Sequence, residues 1–171
     1  FPLANELFQG MGGISNENYS NYPPFSQVIY FISSLLGKNN LYYSIIILRI
    51  IIILFEIGVF YYLNRLLNLL KLPPNRVGFY FLNPLVIIEL TGNLHGEGIM
   101  MFFFLTGFYM LIKNKLFKSS ILFSISVATK LVTLIILPLI IKKLEIKKNI
   151  KFYIVFLIFS VILWAPFLNS K

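Results

Sequence analysis

Long apolar runs separated by short polar loops dominate this chain. Leu41 to Leu63 forms a 23-residue run in which charge appears only at Arg49 and Glu56. As a helix it reaches about 34 Å, enough to cross a hydrocarbon core of about 30 Å. Phe25 to Leu36 is apolar too but spans 12 residues, about 18 Å of helix. It is too short to cross and predicts a re-entrant or interfacial segment. Val77 to Leu90 holds Asn83-Pro84 inside it, a polar knot follows at residues 91–98, and Ile99 to Ile112 is apolar again. A last run, Phe152 to Leu168, has Trp164 near its end, as in an interfacial aromatic belt.

Ser120 to Ile141 is 22 residues, long enough to cross once. Yet Lys113, Lys115 and Lys118 precede it, and Lys142, Lys143, Lys147, Lys148 and Lys151 follow it. Basic loops at both ends of one crossing conflict with the rule that positive loops stay on the cytoplasmic side. Two half-length helices meeting near Lys130 resolve the conflict; one straight helix is the alternative. Broken helices occur in membranes where protein or a wet cavity shields the freed backbone. One topology then satisfies most signals. The basic loops 64–76, 113–118 and 142–151 are cytoplasmic, and the segment 1–24 and the 91–98 knot face the other side.

Composition narrows the class. Of the 171 residues, 58% are hydrophobic and 12% charged, against about 45–50% and about 25% in soluble domains. A water-soluble enzyme and a disordered chain are both excluded. The expectation is an all-α fold, a polytopic transmembrane helical bundle with short or re-entrant helices. The chain reads as a single partial transmembrane domain over residues 1–171: an extramembrane loop at 1–24, then about five to seven membrane helices over 25–168. It begins with Phe1 and ends just past an apolar run, which reads as a piece of something longer.

Cysteine and aspartate are absent, and His95 is the one histidine. Disulfides, thiolate chemistry and cysteine- or multi-histidine metal sites are thereby excluded; no cofactor is expected, with a divalent metal held by acids outside this piece left open. The formal charge of +9 comes from lysines gathered in loops, which suits membrane lipids rather than nucleic acid.

A charge at mid-membrane costs about 2.5–3.5 kcal/mol on insertion scales, so each one asks for a reason. Arg49 and Glu56 are two helical turns apart and share a face. Either each has a structural partner, or Arg49 faces a wet cavity and binds an anion. Glu89, Asn93, His95 and Glu97 fall within nine residues, among Gly92, Gly96 and Gly98. Glu89 and Asn93 share a face if the helix persists past Gly92. A histidine beside carboxylates can relay a proton or orient a hydroxyl; the alternative is a capped inter-helix turn. Lys130 stands ten or more residues from other charge. It either meets a lipid-linked phosphate at a helix break or pairs with Glu89 or Glu56.

Three segments together, NYPPFSQ (21–27), LNPLVIIELTGNLHGEGIM (82–100) and SVATKLVTLIILPL (126–139), resemble the polytopic GT-C glycosyltransferases. The likeness is to the bacterial mannosyltransferase-like group that uses polyprenyl-phosphate sugars, and ANELFQGMG (4–12) resembles the loop before the YPP motif there. The resemblance implies a multi-pass protein of the bacterial inner membrane. Such an enzyme moves a hexose, mannose by the likeness, from a polyprenyl-phosphate donor to a glycan or lipid acceptor on the non-cytoplasmic face. It implies that His95, Glu97 and Glu89 form the catalytic shell. Asn93, Lys130, Arg49, Tyr22 and Gln27 would bind substrate, with Lys130 and Arg49 on the leaving phosphate. In that group the catalytic aspartate lies upstream of the matching part. With no aspartate here, the first helix and that acid are expected to be missing and the piece inactive by itself; Glu6 and Glu17 do not match the motif. A lipid or sugar transporter or flippase is the alternative, followed by a membrane acyl- or phosphotransferase.

Overall fold

A computed structural model of the protein describes residues 22–141 and 145–168. The ANELFQGMG segment, Glu6 and Glu17 lie outside them. Among the described residues all regular structure is helical, as the apolar runs predicted. The elements are α1 (Pro24–Leu36), α2 (Leu41–Leu69), a 3-10 turn (Pro74–Val77), α3 (Gly78–Phe81), a π-helical segment (Val86–Gly92), α4 (Glu97–Ile112), α5 (Leu116–Thr129), a 3-10 segment (Leu131–Ile136), α6 (Leu137–Ile141) and α7 (Ile146–Leu168). Two helices, α2 and α7, are long and apolar enough to cross a membrane. A third span exists if the π segment and α4, bent by 107°, are taken together. The fold is that of a helical membrane protein.

Both long helices run further than hydropathy alone predicted. The α2 helix continues to Leu69, carrying Arg65, whose guanidinium lies 4.6 Å from the Tyr61 ring centroid. An arginine can extend an apolar helix in this way by laying its stem along the surface and its head on an aromatic face. The α7 helix starts at Ile146, before the predicted Phe152, and its first turns carry the exposed lysines.

Of two breaks, the one near Lys130 follows the prediction, whereas the one at Asn83-Pro84 interrupts a run read as a single apolar segment. Asn83 Oδ1 accepts the Leu85 N–H at 3.0 Å, so Asn83-Pro84 forms a turn that restarts the chain as a helix rather than continuing one. At the other site α5 ends at Thr129, and Lys130 is extended at φ −155°, ψ 127°. The straight-helix alternative for Ser120 to Ile141 is therefore excluded. Ser126 Oγ bonds to Thr133 Oγ1 at 2.9 Å across the break. Hydroxyls do this work in a membrane interior because water is not there to do it.

Helices pack through small residues. Ser119, Ser120, Ser124 and Ser126 are all buried on α5. Ser119 bonds to the Gly107 carbonyl at 2.8 Å, Ser124 to Phe156 at 2.9 Å and Ser126 to Met100 at 3.0 Å, tying α5 to α4 and α7. Phe123, Val127, Leu137, Ile140, Phe152 and Phe156 fill the core between them. A second cluster of Ile29, Ile52 and Ile99 joins α1, α2 and α4. Phe55 contacts Phe102 and Phe103, while Tyr62 contacts Phe102 and Tyr109. Thus α2 and α4 run the same way, and the basic residues beyond their C-terminal ends lie at one end of the bundle. The starts of α4 and α1 lie away from that end.

Gly107 marks the closest approach of α4 to α5. A β-carbon there would sit 3.2 Å from the Phe123 ring and 3.3 Å from Leu122 Cβ. Gly107→Val is therefore expected to destabilise the protein by about 1–3 kcal/mol through overpacking, read as a lowered thermal unfolding midpoint in detergent.

Candidate functional site

The two helix breaks meet. The first lies between the π segment and α4, and π turns arise where one extra residue is fitted into a helix, often at functional places. Here the Asn93 N–H reaches back to the Ile88 carbonyl at 2.8 Å and the His95 N–H to the Glu89 carbonyl at 3.3 Å. Leu94 takes a left-handed conformation at φ 59°, a backbone strain of about 1–3 kcal/mol that persists when surroundings over-determine it. The second break is Lys130. Its ammonium forms an ion pair and hydrogen bond with Glu97 Oε1, joining the two breaks. Of the alternatives for Lys130, pairing with Glu89 or Glu56 is thus replaced by pairing with Glu97, the acid that the hinge turns toward it.

A chain of polar contacts leads away from that pair. His95 Nδ1 is 3.6 Å from Glu97 Oε2, and His95 Nε2 is 3.5 Å from Glu89 Oε2. Asn93 Nδ2 donates to Glu89 Oε2 at 3.2 Å, so the π segment does carry Glu89 and Asn93 on one face. Glu97 Oε2 is buried and lacks a hydrogen-bond partner among the described residues; the His95 approach is longer than a hydrogen bond. The side chains of His95, Glu89 and Lys130 are each 46% exposed and that of Glu97 32%, so the group is open to a ligand.

A cavity of about 400 Å³ opens beside this chain, lined by Tyr22, Pro23, Ser26, His95, Gly96, Glu97, Thr129, Lys130, Leu131 and Val132. Three segments distant in sequence build it. The start of α1 is fixed there by Ser26 Oγ, which donates to the Thr129 carbonyl at 2.9 Å. A β-carbon at Gly96 would lie 3.9 Å from that same hydroxyl. An apolar groove of about 260 Å³ adjoins it, lined by Met100, Met101, Phe104, Val132, Thr133, Ile135 and Ile136. Val132 borders both.

The structure brings together His95, Glu97, Lys130 and Tyr22 at the cavity, with Glu89 and Asn93 behind His95. Arg49 and Gln27 are placed otherwise. The Arg49 guanidinium donates to the Gly92 carbonyl at 3.4 Å, holding the end of the π segment, and it is not among the cavity-lining residues. The Gln27 amide donates to the Tyr22 carbonyl at 2.8 Å, which fixes the turn that presents Tyr22. Ser26 and Thr129 were missed by sequence reasoning, though each adjoins a residue that had been singled out. Small hydroxyl residues carry no signal until a cavity forms around them. Among the described residues no group of three or more His, Asp or Glu side chains is placed to hold a metal ion.

A polar cavity lined by His95, Glu97 and Lys130, set at helix breaks in a helical membrane protein, has the side chains to receive a polar or anionic group. Residues 3–144 match the family described as alpha-(1→6)-mannopyranosyltransferase, N-terminal domain. The match covers most of the chain and every described residue of the site, and the chain belongs to this family. It is thereby a mannosyltransferase-type membrane protein. No curated protein and no solved structure shows significant similarity to it.

The Lys130–Glu97 pair is partly solvated, so its stabilising contribution is about 1 kcal/mol or less. Lys130→Ala and Glu97→Ala are each expected to lower the thermal midpoint only slightly, and the double variant no further than the worse single one. Differential scanning fluorimetry in detergent checks this.

Proposed function

We propose that this protein is a GT-C-type mannosyltransferase that takes mannose from a polyprenyl-phosphate donor. It passes the sugar to a glycan or lipid acceptor, in α-(1→6) linkage if the family description applies to this chain. The observation that carries the reading is the junction of a polar cavity holding Lys130, Glu97 and His95 with an apolar groove. A lipid-linked sugar phosphate has those two halves: a charged, hydroxylated head and a hydrocarbon tail. The sugar and phosphate fit the cavity, and the first isoprene units fit the groove along Val132, Ile135 and Met101. Family membership favours this over a transporter or flippase, which would use the same broken helices for passage.

In the proposed reaction an acceptor hydroxyl attacks the sugar's anomeric carbon as the bond from that carbon to the phosphate oxygen breaks. The electron pair leaves with the polyprenyl phosphate. Lys130 carries three N–H donors; Glu97 occupies one, and the others can meet the phosphate as its charge grows. His95, between Glu89 and Glu97, orients a hydroxyl and can pass on its proton. Asn93 holds Glu89, Gln27 presents Tyr22 to the sugar, and Arg49 secures the hinge near the phosphate. The shared basic end of α2 and α4 supports a cavity on the non-cytoplasmic side, by the positive-inside rule. A bacterial inner membrane, multi-pass location is part of this proposal.

His95→Ala and Lys130→Ala in the intact enzyme are each expected to reduce mannose transfer by about 100-fold or more while membrane insertion is unchanged. Radiolabelled mannose transfer from polyprenyl-phosphate mannose checks this. Near-wild-type turnover in either variant removes that residue from the site.

A further inference from the structure

The chain between Tyr80 and Gly98 carries Glu89, Asn93, His95 and Glu97, and one side chain holds both of its ends. Glu56, in the middle of α2, is 8% exposed. Its Oε1 accepts the Tyr80 hydroxyl at 3.4 Å, on the limb leading into the π segment. The other limb is α4, where Gly98 lies directly against the same carboxyl. A β-carbon built at Gly98 would collide with Glu56 Oε1 and lie 3.1 Å from Cδ and 3.5 Å from Cγ. Glu56 Oε2 is buried without a hydrogen-bond partner among the described residues. A carboxyl group inside an apolar helix is costly, and one that leaves an oxygen unmatched asks for an explanation.

We infer that Glu56 is a positioning residue that pins the two limbs of the bent span together through Tyr80 and Gly98. It thereby sets where the intervening loop presents His95 and Glu97 to Lys130. Glycine at 98 is required because any side chain there displaces the pin. Arg49, two turns earlier on the same face of α2, donates to the Gly92 carbonyl of the same loop. The geometric claim stands by itself; its catalytic consequence rests on the mannosyltransferase reading.

The chain has no cysteine, so Asn93→Cys gives one thiol on the loop in the membrane-reconstituted protein. Its labelling rate by a polar maleimide needs no substrate. Adding Glu56→Ala is expected to change that rate several-fold, and adding Glu56→Gln, which keeps the shape, to leave it nearly unaltered. In transfer assays with polyprenyl-phosphate mannose and a short α-(1→6)-mannoside, Glu56→Ala is expected to lower kcat about tenfold with donor KM nearly constant. Glu56→Gln restores most of the loss. Gly98→Ala is expected to resemble Glu56→Ala, and the double variant to be no worse than either, because both changes remove the same contact. An unchanged labelling rate in Glu56→Ala, equal kcat losses for Ala and Gln, or additive losses in the double variant would overturn the inference. These transfer assays use the intact enzyme; if it transfers no mannose when unaltered, the function reading fails while the labelling arm still decides the positioning claim.

Discussion

The ion pair between Lys130 and Glu97 closes two helix breaks onto each other, and the architecture of the site follows from that closure. Each break frees backbone groups that hydrocarbon cannot satisfy. The protein answers by making the breaks each other's neighbours and surrounding them with hydroxyls: Ser26 on the Thr129 carbonyl, Ser126 on Met100 and Thr133. Polar groups that would be expensive singly become a shared wet pocket. The stabilising contribution of the exposed pair is small. Its importance is geometric, since it fixes which two turns face each other.

The breaks make the cavity geometrically possible. A straight helix at 120–141 would satisfy its backbone at lower cost but would leave no room at Lys130. The π segment does the same for Glu89 and Asn93, bringing them onto the face that His95 occupies. The resulting order, Asn93 to Glu89 to His95 to Glu97 to Lys130, gives a run of donors and acceptors ending at a cation beside an apolar groove. Membership of a mannosyltransferase family fits this chemistry, because a sugar offers many hydroxyls to such donors and acceptors.

Much of this was legible in the chain. The apolar runs and sparse charge required a helical membrane protein. The clustered glycines pointed to the bend before α4, and basic loops flanking 120–141 announced the break at Lys130, while the turn at Asn83-Pro84 was not legible. His95, Glu97 and Lys130 stood out because intramembrane charge is costly. Element ends were less legible. Leu69 and Ile146 extend past the hydropathy limits because Arg65 and the α7 lysines use aromatic faces and solvent rather than ending a helix. The partner of Lys130 was not legible, since Glu56, Glu89 and Glu97 are equivalent until a hinge angle chooses among them.

Sequence by itself determined the class and the cast: periodic apolar length dictates membrane helices, and rarity of charge marks the residues that matter. Tertiary structure alone decided who meets whom. It set Arg49 on the Gly92 carbonyl instead of in the cavity, and Glu56 beneath Gly98. It also added Ser26 and Thr129 to the lining. The physical reason is that cost is a one-residue property, set by transfer from water to hydrocarbon. Partnership depends on the 107° bend and on close approaches permitted by single glycines, which are set by the packing of the whole bundle.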